Sequence, residues 1–215
     1  MQRAAILIFV ALTIGGSTEI CRADVTAGVT IDEGGVKSFY LAIGDYFGAK
    51  EKEIAMIRRM NVSDEELPVV YFLARRAGVS PNAIIRMRLD GKSWMDISLH
   101  FGLSAEVFYV PVKKRAGPPY GKAYGHFKNK KRGEWASIRL SDSEIINFVN
   151  LRFISDHYGY SPDEIIAMRE RGRDFVVINR EVKKARELKI KKSAQAASEK
   201  ERRESKPKKS EAKKK

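Results

Sequence analysis

Residues 72–97 read FLARRAGVSPNAIIRMRLDGKSWMDI, and residues 153–178 read FISDHYGYSPDEIIAMRERGRDFVVI. The offset is constant across Phe72/Phe153, Gly78/Gly159, Ser80/Ser161, Pro81/Pro162, Ile84/Ile165, Met87/Met168, Arg88/Arg169, Gly91/Gly172 and Ile97/Ile178. Trp94 and Phe175 occupy one aromatic slot. Self-similarity at a fixed spacing points to a structural unit used more than once. Its grammar is helix, glycine turn, serine cap, helix. Gly78 and Gly159 suit the left-handed residue that ends a helix, while Ser80 and Ser161 suit the cap of the next and Pro81 and Pro162 its first position. Ser161-x-x-Glu164, Ser141-x-x-Glu144 and Ser63-x-x-Glu66 read as capping boxes. Ile84 and Met87, like Ile165 and Met168, lie three apart on one face and should point inward.

The chain is accordingly expected to be all-α. Repeat units are expected at about 39–62, 71–97, 98–110 and 152–178, the first and third being weaker copies around Phe47-Gly48 and Phe101-Gly102. Helices are expected near 36–47, 50–60, 64–77, 81–89, 93–101, 104–110, 141–157, 162–171 and 174–190, with 24–35 irregular. One helical domain thus covers 24–190.

The first 23 residues read as an export signal. Arg3 supplies a positive start, Ala4 to Ile14 is apolar apart from Thr13, and Cys21-Arg22-Ala23 places small residues at the peptidase positions. Cleavage is expected after Ala23, giving a periplasmic or secreted protein. The apolar run falls short of the roughly 20 residues that span a bilayer. Cleavage there also removes Cys21, the only cysteine, and with it disulfides, thiol nucleophiles and thiolate zinc sites.

Charge is segregated. The chain carries 41 Lys and Arg against 27 Asp and Glu, a net +14. Residues 181–215 hold 15 basic and 6 acidic side chains (+9), and residues 111–135 hold 8 and 1 (+7). The rest of the chain beyond the signal is slightly acidic. Residues 191–215, rich in Lys, Glu, Ser and Ala without an aromatic, are expected to be a disordered basic tail. Residues 111–135, PVKKRAGPPYGKAYGHFKNKKRGEW, read as a long loop that interleaves cations with aromatics. Lys113, Lys114, Arg115, Lys122, Lys128, Lys130, Lys131 and Arg132 would neutralise an anionic polymer while Tyr120, Tyr124 and Phe127 stack on its rings.

Residues 73–91 resemble the helix-turn-helix of DNA-binding regulators, with Ala74, Gly78, Val79, Ser80 and Ile84 in the corresponding slots. That resemblance implies a second helix reading the major groove, with Arg86 and Arg88 as its nucleic-acid contacts. Export, the slightly acidic body, and Asp163 and Glu164 at the head of the matching helix favour the other reading, in which Gly-x-Ser-Pro is a compact joint between packed helices. The chain beyond the signal also resembles a group of uncharacterised secreted bacterial proteins sharing the SPxxIIxMRxxG unit and the PPYGKAYG segment. This implies export and a bacterial source but no activity.

His100, His126 and His157 are scattered, and no metal, nucleophile-elbow or phosphate-loop motif occurs. The expectation is a non-enzymatic helical scaffold or interaction protein without cofactor or metal. It would attach through its loop and tail to anionic envelope polymers or an acidic protein surface. A nucleic-acid binder and an enzyme with an unrecognised site are the alternatives.

Overall fold

The structure, a computed structural model, describes residues 33–204. The signal segment and its cleavage site, most of 24–35, and 205–215 lie outside the described residues. Nine α-helices and three short 3-10 turns follow one another, with no strand among the described residues, so the fold is all-α. The helices are α1 (Glu33–Phe47), α2 (Glu51–Arg58), α3 (Leu67–Ala77), α4 (Pro81–Leu89), α5 (Trp94–His100), α6 (Gly121–Lys128), α7 (Asp142–Tyr158), α8 (Pro162–Glu170) and α9 (Phe175–Glu204). The 3-10 turns are Asp64–Glu66, Ala105–Phe108 and Arg132–Ser137.

Two buried helices, α3 and α7, form the centre and pack on each other. Every residue of α3 from Leu67 to Ala74 is buried, as are Ile145, Phe148, Val149, Leu151, Phe153 and Ile154 of α7. A helix apolar around most of its circumference is stable only with neighbours on several sides. Around this pair, α4 leans on α3, α8 on α7, and α9 crosses back over α1 and α7. The core is continuous, from Phe39 and Ile43 through Trp94 and Phe108 to Phe175 and Ile178.

The two matched stretches take the same local course. Gly78 closes α3 at φ 69° and Gly159 closes α7 at φ 74°, a conformation that costs other L-residues about 1–2 kcal/mol. Ser80 then caps α4 by accepting the Ala83 N–H, and Ser161 caps α8 by accepting the Glu164 N–H. Glu164 returns the favour to the Ser161 N–H at 2.8 Å, as Glu144 does to Ser141 at 2.8 Å and Glu66 to Ser63 at 3.2 Å. Ile84 and Ile165 are fully buried, and Met87 and Met168 pack against the core.

The weaker copies depart from the pattern. Gly48 and Gly102 do turn left-handed, at φ 73° and 72°. Lys50 rather than a serine precedes α2, however, and its side chain makes no capping bond. The expected helix at 104–110 shrinks to the 3-10 turn at 105–108, because Pro111 lies too near for another α-turn to form before it.

Candidate functional site

Residues 111–135 are not the loop expected from sequence. The chain first runs along α8, where the Asp163 carboxylate accepts the backbone N–H groups of Lys113 and Lys114 at 3.1 and 2.8 Å. Glu170, at the other end of that helix, accepts the Gly117 N–H at 2.6 Å. Helix α6 follows. Tyr120, Ala123, Tyr124 and Phe127 are spaced i, i+3, i+4 and i+7, a helical stripe, and that stripe faces inward. Tyr120 is 0% and Phe127 3% exposed. Tyr124 is half-buried, and its hydroxyl donates to the Val110 carbonyl at 2.7 Å.

Edge-to-face and tilted contacts, with centroids 4.7–5.8 Å apart, join Tyr109, Phe127, Trp135 and Phe148 into one cluster on α7. Burial pushes the Tyr120 and Tyr124 phenols well up, so both stay protonated donors. Tyr120, Tyr124 and Phe127 are therefore packing residues. They are not stacking platforms for a polymer, because their faces are already covered by protein.

The cations of the segment behave oppositely. Lys113, Lys114, Arg115, Lys122, Lys128, Lys130, Lys131 and Arg132 are all exposed. On α6, Lys122 falls on the arc opposite the aromatic stripe and Lys128 on its exposed flank. Arg132 pairs with Glu106 at 3.3 Å, but the Arg132 side chain is 79% exposed, and the Lys130 ammonium donates to the Ser137 hydroxyl at 2.9 Å. The side chains of Lys113, Lys114, Arg115, Lys122, Lys128 and Lys131 form no ion pair among the described residues. The segment is a folded plate, aromatic beneath and cationic above.

Arg88 is not free to contact nucleic acid. Its guanidinium lies over the Trp94 ring at 4.6 Å, reaches Glu66 at 2.6 Å and Asp142 at 2.5 Å, and donates to the Lys92 carbonyl at 3.1 Å. Arg169, its counterpart, repeats the arrangement: over Phe175 at 4.7 Å, to Glu65 at 3.4 Å, and to the Arg173 carbonyl at 2.9 Å. Both are internal clamps between a helix and the aromatic residue that opens the next one. Arg86 does face solvent, but one exposed arginine is not a groove-reading surface.

The expectation of disorder from residue 191 also fails as far as Glu204, since α9 is continuous from Phe175. From Lys183 to Arg202 no residue of this helix is buried. Lys, Glu, Arg and Ala are strong helix formers, and Glu187 stands four residues before Lys191. A helix already nucleated by packing at Phe175 and Ile178 extends through such a sequence without the cost of starting a new one. Residues 205–215 of the expected tail lie outside the described residues.

The histidines remain dispersed. His126 Nε2 sits 3.4 Å from the buried Glu144 carboxylate, His100 packs on Phe101, and His157 packs among Tyr46, Phe153 and Tyr158, where burial lowers its pKa. No cluster of three or more His, Cys, Asp or Glu suited to a metal occurs among the described residues, and none of their helices is long and apolar enough to cross a membrane. No family model, no curated protein and no solved structure matches this chain.

Proposed function

We propose that this protein is an exported, non-enzymatic helical scaffold that attaches to anionic envelope polymers through the cationic plate at 113–132 and the basic C-terminal part of α9. The observation that carries the reading is how differently the cations are used. The body's Arg88 and Arg169 are held by partly buried carboxylates, and Arg173 pairs with Glu181 nearer the surface. The lysines of the plate, and Lys184, Lys189, Lys191 and Lys192 of α9, stand exposed with no ion pair among the described residues. Unpaired surface cations raise the potential over a face and draw polyanions to it, an attraction that salt screens. The aromatic underside contributes rigidity in place of stacking, since a plate with fixed backbone binds without first ordering itself.

The test is retention on a polyphosphate resin. The protein without its first 23 residues should elute at a salt concentration that falls when Lys113, Lys114, Lys130 and Lys131 become Gln, and falls again on deleting 191–215. Equal retention of the variants at low salt would remove the proposal. Cell fractionation with N-terminal sequencing checks the export half: an Asp24 start outside the cytoplasm is the expected result, and an intact Met1 inside it contradicts the reading.

A further inference from the structure

Away from the basic plate, a groove of about 350 Å³ opens where the ends of α1 and α3 meet the C-terminal half of α7. Arg75 and Arg76 from the last turn of α3 and Arg152 from α7 line it, with Asp156 as its one carboxylate. Three guanidinium groups against one carboxylate leave a formal +2. None of the three forms an ion pair among the described residues. That separates them from Arg88 and Arg169, whose carboxylate partners lie within 3.4 Å.

Their internal bonds are few. Arg152 Nη2 donates to the Tyr109 carbonyl at 2.7 Å and to the Val107 carbonyl at 3.4 Å, while its buried Nε has no partner. Among the described residues the Arg75 side chain has one hydrogen bond, to the Tyr46 carbonyl at a loose 3.5 Å. Arg76 lies over the Phe72 ring at 5.4 Å, which leaves its N–H fork available. Asp156 is engaged elsewhere, accepting the Tyr46 hydroxyl at 2.9 Å. Burial and that bond push the Tyr46 phenol up to about 12, so it remains the donor and Asp156 the acceptor. The wall between the cations is apolar, made by Phe47 and Phe72.

We propose that this groove binds a phosphomonoester, its phosphate meeting Arg75, Arg76 and Arg152. The pairing follows from charge and shape. A phosphomonoester carries about −1.5 to −2 at neutral pH, matching the groove's surplus. Planar guanidinium forks take phosphate oxygens two at a time, which ammonium groups cannot do. A carboxylate would leave about one positive charge unmatched.

The site is independent of the polymer-binding plate, and the experiment keeps the two apart. The protein without its first 23 residues is labelled with 15N and titrated separately with phenyl phosphate, inorganic phosphate and benzoate. Saturable shifts are expected at the amides of Tyr46, Phe47, Arg75 and Arg152 with phenyl phosphate and with inorganic phosphate, and only weak ones with benzoate. Arg75→Gln/Arg76→Gln changes only exposed side chains and should weaken phenyl phosphate at least tenfold with an otherwise unchanged spectrum. The Lys113, Lys114, Lys130 and Lys131 to Gln variant should bind it as the parent does. Benzoate binding as tightly as phenyl phosphate, undiminished binding by the double arginine variant, or shifts confined to the lysine plate would each overturn the assignment.

Discussion

Arg88 illustrates how little a residue's type says about its role. A cation on the second helix of a Gly-x-Ser-Pro unit has the placement of a groove reader, yet here it joins three elements at once. Glu66 opens α3, Asp142 opens α7, and Trp94 opens α5. The Asp142 carboxylate also accepts the Trp94 N–H at 2.7 Å, so removing the cation leaves two partly buried carboxylates facing each other. Arg88→Ala is expected to lower stability by about 2–3 kcal/mol in urea denaturation, less than the roughly 3–5 kcal/mol of a fully buried pair because solvent still reaches the site. Arg88→Lys should lose less, since it retains the charge but not the fork.

Glu66 adds a pH signature. Burial alone would push its carboxyl up, but hydrogen bonds from Ser63 and Arg88, together with the Arg88 charge, outweigh it and leave it below the ordinary 4.5. A carboxylate lowered on folding stabilises the native state above its unfolded pKa, and that contribution is lost as pH falls through the lower folded value. The stability of the parent should therefore drop more steeply below about pH 4.5 than that of Glu66→Gln, as denaturation midpoints across that range would show.

At the scale of an element, α6 divides into two faces with different duties. The sequence places Tyr120, Tyr124 and Phe127 at helical spacing, but Gly117, Gly121 and Gly125 and two prolines disguise it as a linker. Phe127→Ala removes a ring packed on Tyr109, Trp135 and Phe148 and should cost about 3–5 kcal/mol. Lys128→Gln, one residue on, should stay within about 0.5 kcal/mol while reducing retention on polyanion. Thermal melts paired with salt elution separate the two effects. If Lys128→Gln destabilises as much as Phe127→Ala, the two-faced account of α6 fails.

Across the whole molecule, the two matched stretches are tied by exchange. Asp142 from the entry to the second caps Trp94 of the first, and Glu65 from the entry to the first caps Phe175 of the second, its carboxylate accepting the Phe175 N–H at 2.7 Å. Asn150 of α7 adds a third link, donating to the Glu65 carbonyl at 2.8 Å. Halves that share caps and one core should unfold together. Glu65→Ala is expected to weaken the single transition while keeping it single, with tryptophan fluorescence and far-UV circular dichroism coinciding. Two separated transitions would show that the halves are independent.

The local grammar was readable in advance because it depends on short-range chemistry. Gly78 and Gly159 end helices, Ser80, Ser141 and Ser161 begin them, and Ile84 and Ile165 point inward, for reasons that act within a few residues. The all-helical class and most helix positions follow from those signals. What the tertiary structure decided is which polar groups meet. Arg88 finds Asp142 across 54 residues of chain and Phe175 finds Glu65 across 110, while Arg75, Arg76 and Arg152 from two helices line one groove with a single carboxylate, Asp156. No spacing rule in a single sequence encodes such encounters, because they depend on how α3 and α7 pack rather than on what lies beside each residue along the chain.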